Sequence, residues 1–274
     1  VTKSFTSALA GIALDQGYLT GVDQKMMDFF PELEDKVTDP RKFDITLKYL
    51  LEMLAGYPWE KSTDELFKIL YTGFRPSLLA DIELVYDPDA DMRYSNLSSH
   101  LAGVIVARAT GRDLLTYADE NLFGPLGIEP GEWITDWEGN YNGHADLHLT
   151  ARDMAKFGQL YLNGGKANGE QLISEDWVRD SLEVHSEHAW DYGIGRSVAD
   201  MCCGYLWWSA KANGYRYNFA WGHGGQQIAL VPDLNIVVVV TADPLFGQHG
   251  DQLWEFEKQN LNLVGNFVST LPLG

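Results

Sequence analysis

With 274 residues, 45% of them hydrophobic and 12% aromatic, the chain is long enough to bury a substantial core. Its 39 acidic and 20 basic residues give a formal charge of −19, which excludes a phosphate-binding surface for nucleic acid and repels acidic substrates at long range. No window approaches the roughly eighteen consecutive apolar residues of a membrane span, and the two cysteines, Cys202 and Cys203, are adjacent and offer no disulfide framework.

In chain order, Val1 to Gly17 reads as a helix whose Ala8, Ala10, Gly11 and Ala13 put small side chains on several faces, as in a buried central helix. Ile45 to Leu54 reads as a second helix, closed by Gly56-Tyr57-Pro58 and followed by Trp59-Glu60 in a loop. Leu97 to Thr110 is helical and stops at Gly111, a residue suited to a left-handed C-cap. Thr150 to Leu162 is helical and stops at Gly164-Gly165. Ser174 caps a helix to Leu182, with Glu175 and Asp176 in its first turn. After residue 200 the pattern becomes that of antiparallel strands at Tyr205 to Ala210, Asn218 to Trp221, Gln226 to Val231 and Ile236 to Ala242. Pro232-Asp233-Leu234-Asn235 forms the last hairpin, and Gln248 to Val268 is an amphipathic helix. There is no internal repeat or low-complexity linker.

Three short motifs carry chemistry. Lys3 lies at the start of the first helix and would complete Ser-x-x-Lys if a serine preceded Val1. Residues three apart share a helix face, so the lysine nitrogen can reach the hydroxyl and give a weak nucleophile its base. The second motif is Tyr94-Ser95-Asn96, between the polar loop Asp87 to Asp91 and the helix from Leu97. The third is His223-Gly224-Gly225, just before the strand from Gln226. In this order they resemble the signatures of the serine β-lactamase and penicillin-recognising superfamily. The class C β-lactamase-like branch is nearest, with a tyrosine where the class A pattern has its second serine.

The resemblance reaches beyond the motifs. Ile45 to Leu51, Leu122-Phe123-Gly124-Pro125-Leu126-Gly127, Thr150 to Gly158 and Gly204-Tyr205-Leu206-Trp207-Trp208 are similar to segments of that family, as is the short helix and turn of Asp23 to Val37. It implies an α/β (α+β) β-lactamase-like fold: an antiparallel sheet flanked by helices, plus an all-helical lobe. Residues 1–274 would form one catalytic module, with the helical lobe at roughly 20–180 and the sheet lobe at roughly 1–19 and 181–274. The family's N-terminal strands would lie upstream of Val1, in a segment of the same protein, either continuous with this chain or as a separate one.

The same resemblance implies a serine hydrolase that acts through an acyl-enzyme on a small ester, amide or short peptide, without cofactor or metal. A periplasmic or secreted location accords with it. Lys3 and Tyr94 are the candidates for base and proton relay, and the order in which they act is left open. Asn96 would bond Lys3 or the substrate, or simply cap its helix. The backbone N–H of Gln226 would join the oxyanion hole, with Gly224 and Gly225 allowing close approach.

His223 departs from the lysine that β-lactamases and carboxypeptidases usually carry there. A histidine, mostly neutral at pH 7, holds a substrate carboxylate less firmly. That favours an esterase, an amidase of the aminohexanoate-dimer type or a D-aminopeptidase over a β-lactamase or D,D-peptidase. A binding protein of the same fold without the nucleophile is the non-enzymatic alternative. Trp59, Trp133, Trp137 and Trp207 are candidates for lining the pocket, although one of Trp207 and Trp208 should face the core. His144 with His148, and His185 with His188, have helical spacing but no third ligand in a recognisable zinc pattern.

Overall fold

Small side chains make the first helix a packing centre. Helix α1 (Thr2–Asp15) buries Phe5, Ala8, Leu9, Ala10, Ile12 and Ala13, together with its polar residues Thr2, Ser4, Thr6 and Ser7. The computed structural model describes residues 1–186, 194, 198–246 and 251–272, with the backbone alone at 70–72 and 251. The chain divides into two compact units, Thr2–His148 and, together with Val1, the chain from Leu149 onward. These boundaries differ from the lobes expected near residues 20 and 180. Helix α1 packs within the first unit, and the segment from Leu149 groups with the sheet.

In the first unit α1 is followed by α2 (Leu47–Leu51), α3 (Asp64–Thr72), α4 (Leu78–Asp81), α5 (Asn96–Thr110), α6 (Leu114–Ala118) and α7 (Gly124–Leu126). The segment expected as a short helix from Asp23 is two 3-10 turns, Met26–Phe29 and Pro31–Lys36. Pro31 has no N–H to continue a ladder, so the second turn begins afresh on it. Helix α2 stops short of Leu54 because Met53 turns left-handed, at φ 61°. The Leu54 N–H then returns to the Tyr49 carbonyl at 2.8 Å, a Schellman ending. Helix α5 starts with the Ser95 hydroxyl accepting the Ser98 N–H at 3.3 Å and ends at Gly111, φ 66°, as its sequence requires.

Helices α1 and α5 pack together, and the loop at Gly143 lies against both. A Cβ on Gly103 would sit 3.1 Å from the Gly143 Cα and 3.5 Å from the Thr6 methyl. One on Gly143 would meet the Ser99 carbonyl oxygen at 2.9 Å. Two glycines thus let a loop press onto the helix pair.

The second unit comprises α8 (Ala151–Leu162), the small β1 (Lys166–Ala167) and β2 (Glu170–Gln171), α9 (Glu175–Leu182), β3 (Ala199–Cys203), β4 (Trp208–Ala212), β5 (Tyr215–Gly222), β6 (Gln226–Val231), β7 (Ile236–Val240) and α10 (Asp251–Ser269). Strands β3 to β7 form a five-stranded antiparallel meander in sequence order. The hairpin between β6 and β7 is a 3-10 turn, Pro232–Leu234, closed by Asn235 at φ 52°. Helix α8 approaches so closely that a Cβ on Gly158 would fall 2.6 Å from Val237 and 3.0 Å from Ile228. Helix α10 buries Leu261, Val264 and Val268, each contributing about 1.5–3 kcal/mol. Gln248 to Gly250, expected in this helix, lie outside the described residues. Among the described residues no helix is long and apolar enough to cross a membrane.

Candidate active site

Lys3 is held from two directions within the first unit. Its Nζ donates to the Asn96 Oδ1 at 2.8 Å and to the His144 carbonyl at 2.9 Å, and lies 4.9 Å from the centre of the Tyr94 ring. The first two motifs therefore meet on one nitrogen. Burial pushes the Lys3 pKa down to about 8, against the pull of the Glu60 and Asp146 carboxylates. An amine in that range is charged or neutral according to small changes in pH. That is the property a proton-transfer group needs.

The His144 carbonyl is fixed by the loop that carries it. Thr6 Oγ1 donates to the Gly143 carbonyl at 2.7 Å, and Trp133 Nε1 donates to the Asn142 carbonyl at 2.9 Å. The Gly143 N–H reaches His100 Nδ1 at 3.3 Å, and the Leu147 N–H reaches Thr2 Oγ1 at 3.3 Å. Since His100 Nδ1 accepts, its Nε2 carries the proton and donates to Asp136 Oδ2 at 2.8 Å. Burial raises the Asp136 pKa, but bonds from His100 and Asn140 outweigh it and leave the carboxyl below the usual carboxylate range. The His144 ring packs on Phe74 at 4.5 Å and on His100 at 5.7 Å. Its buried Nδ1 has no hydrogen-bond partner among the described residues. Burial, with Lys3 and His100 beside it, pushes the His144 pKa well down, so the ring is neutral.

Beneath the second motif lies Glu60, 2% exposed. Its Oε1 accepts from Ser95 Oγ at 3.1 Å and from the Leu97 N–H at 2.8 Å, while Oε2 is buried without a hydrogen-bond partner among the described residues. Ser95 thus bonds both Glu60 and the first turn of α5. Nothing in Trp59-Glu60-Lys61-Ser62 distinguishes such a residue from a solvated loop acid. His100 stands among Leu97, Leu101 and Val104, where a lone histidine in an apolar helix is the one signal that could have revealed it.

The third motif lies in the second unit, in the turn from β5 to β6. Gly225 N–H closes it onto the Gly222 carbonyl at 3.0 Å, with φ of 84° at Gly224 and 87° at Gly225. Both glycines also face tight surroundings. A Cβ would lie 2.8 Å from Pro244 Cα at Gly224, and 2.5 Å from Asn260 Cβ at Gly225. Helix α10 supports the turn: Asn260 Nδ2 donates to the Gly224 carbonyl at 2.9 Å, and Glu257 Oε1 accepts from Trp221 Nε1 at 2.7 Å. The other Glu257 oxygen lies 3.5 Å from His223 Nδ1, and the His223 side chain is half exposed. The Gln226 side chain donates to the His223 carbonyl at 3.3 Å. In the same unit the Val1 nitrogen donates to the Trp221 carbonyl at 3.2 Å.

The pocket-lining tryptophans sort by environment. Trp207 is 1% exposed and packs on Phe157 and Tyr161. Trp208 is buried as well. Trp133 is buried, with its indole N–H donating to the Asn142 carbonyl. Trp59 is half-buried, and Trp137 is 74% exposed. Among the described residues no group of three potential metal ligands forms. His185 stacks on Tyr205 at 4.5 Å, and His188 lies outside the described residues.

The family model described as Beta-lactamase matches residues 1–258. A Dichelobacter nodosus protein provisionally named fimbrial assembly protein FimD, serogroup D, is 28% identical over 82% of this chain and 59% of its own length. The chain thus spans about three-fifths of that relative. The 6-aminohexanoate-dimer hydrolase of Paenarthrobacter ureafaciens is 24% identical over 87% of this chain and 64% of its own. A Bacillus anthracis structure provisionally named a 6-aminohexanoate-dimer hydrolase superposes with a TM-score of 0.76 at 20% identity, over 99% of this chain and 72% of its own. The helices and antiparallel sheet are those of the β-lactamase-like fold. The chain belongs to the Beta-lactamase family.

Proposed function

We propose that this protein is a serine hydrolase that cleaves neutral ester or amide bonds through an acyl-enzyme. The observation that carries the reading is the convergence of Asn96 Oδ1, the His144 carbonyl and the Tyr94 ring on Lys3 Nζ. The nucleophile is a serine in the position preceding Val1, one helical turn from Lys3. Lys3 and Tyr94 move its proton, first from the attacking hydroxyl and then to the leaving atom. Asn96 orients Lys3. The Gln226 N–H serves the developing oxyanion, a donor whose loss typically costs about 10²–10³ in turnover.

His223 and Glu257 favour the esterase or amidase reading over a β-lactamase or D,D-peptidase. A carboxylate 3.5 Å from the His223 imidazole opposes a second carboxylate on the substrate. Hydrolysis of a short-chain p-nitrophenyl ester is the first test. Lys3→Ala and Tyr94→Phe should each reduce kcat by about 10²–10⁴ while leaving the melting profile intact, since each removes a proton-transfer group and little packing. Activity within a few-fold of wild type in either variant would remove that residue from the mechanism. A wild-type protein that binds esters or amides without turnover would support the non-catalytic alternative.

A further inference from the structure

Glu60 is a buried carboxylate with no ion-pair partner among the described residues. Taking such a group out of water costs several kcal/mol unless it is bonded, and only one of its oxygens is. Of the free N–H groups at the start of α5, the Ser95 hydroxyl takes that of Ser98 and Glu60 takes that of Leu97, a task that a neutral acceptor could also perform. The start of α5 links Glu60 to the cation Lys3. Glu60 holds the backbone N–H of Leu97, next in chain to Asn96, and Asn96 Oδ1 holds Lys3 Nζ.

We infer that Glu60 is a positioning residue of the Lys3 site: it anchors the first turn of α5 so that Asn96 meets Lys3, and its negative charge helps retain the Lys3 proton. The inference rests on the reading of Lys3 as a proton-transfer group. Burial holds the Glu60 pKa above its ordinary value, and bonds from Asn96, Leu97 and Ser95 offset this only in part. The helix N-terminus adds to that offset by favouring an anion. The other titratable groups of this unit around Lys3 are Tyr94 before α5, and His144 and Asp146 in the loop at 142–147. Of the two carboxylates, Glu60 acts more strongly on Lys3. Without it, Lys3 would release its proton at lower pH.

The test reads Lys3 directly, by pH titration of its Cε resonance in protein carrying ¹³C-labelled lysine, with the signal assigned by Lys3→Arg. The wild-type midpoint should lie near 8. In Glu60→Gln it should fall by about half a unit or more, and the acid limb of kcat/KM for the ester should move the same way. Glu60→Asp keeps the charge and should restore the midpoint, although its shorter side chain holds α5 less well. An unmoved Lys3 midpoint in folded Glu60→Gln would overturn the inference. Failure of that variant to fold would also overturn it, in favour of a purely structural cap. If the midpoint moves while no ester is hydrolysed, the hydrolase reading fails and the role of Glu60 stands.

Discussion

Two ionisable side chains, Lys3 and Asp136, make pH predictions in different ranges. Lys3 acts as a base only when neutral, so kcat/KM should rise with pH through about 8, and a pH–rate profile checks it. A profile flat from pH 6 to 9 would separate Lys3 from the rate. Asp136 is held below the usual carboxylate range, so its contribution to stability is fully present above about pH 4 and is lost as pH falls through its folded value. Asp136→Asn should cost about 1–3 kcal/mol near neutrality and flatten the acid side of the stability curve, measured by denaturant melts from pH 7 to 3. The meeting of Lys3 with Asn96 and Tyr94 was legible because the three motifs, in their order, resemble those of a known family. Glu60 was not, since its partner Ser95 is 35 residues away and its neighbours are those of any polar loop. The His144 carbonyl was hidden for a different reason: a backbone acceptor has no residue identity, and the ring drew attention as a metal ligand instead.

At the scale of elements, the loop from Asn142 to Leu147 links packing to chemistry. It lies on α1 and α5 because Gly103 and Gly143 leave no side chain between them, and this contact aims the His144 carbonyl at Lys3. Gly143→Ala would drive a methyl to 2.9 Å from the Ser99 carbonyl, and should cost about 1–3 kcal/mol as the loop moves away. Turnover should fall with it. Gly139→Ala is the comparison: its φ of 84° brings strain, but no atom lies within 4 Å of the new methyl, so kcat should be kept. If both variants lost kcat equally, crowding at Gly143 would not be the cause. Capped helices such as α5, α8 and α9 and the apolar strands β6 and β7 were legible from end signals and burial patterns. Strand β3 was not, because Ala-Asp-Met-Cys-Cys does not alternate and its pairing slips between Ala199 and Cys202. The 3-10 turns before α2 escaped notice because a proline at Pro31 starts a turn as readily as it starts a helix.

For the molecule as a whole, charge and the third motif act in one direction. A net charge of −19 repels anionic substrates, and Glu257 beside His223 repeats that sign at close range. Wild-type protein should therefore prefer a neutral ester to a cephalosporin. His223→Lys should gain relative kcat/KM on the cephalosporin, while added salt, which shortens the Debye length below about 10 Å, should reduce only the long-range part of the discrimination. Efficient cephalosporin turnover by wild type, unchanged in His223→Lys, would restore the β-lactamase reading. The central claim, an acyl-enzyme served by Lys3, is tested most directly by intact-mass and peptide mapping of the protein quenched during turnover of a slowly deacylated ester. The account predicts one acyl group, on a serine immediately preceding Val1, that disappears in Lys3→Ala. Acylation at any other residue, or turnover without a covalent adduct when deacylation is slow, would contradict it.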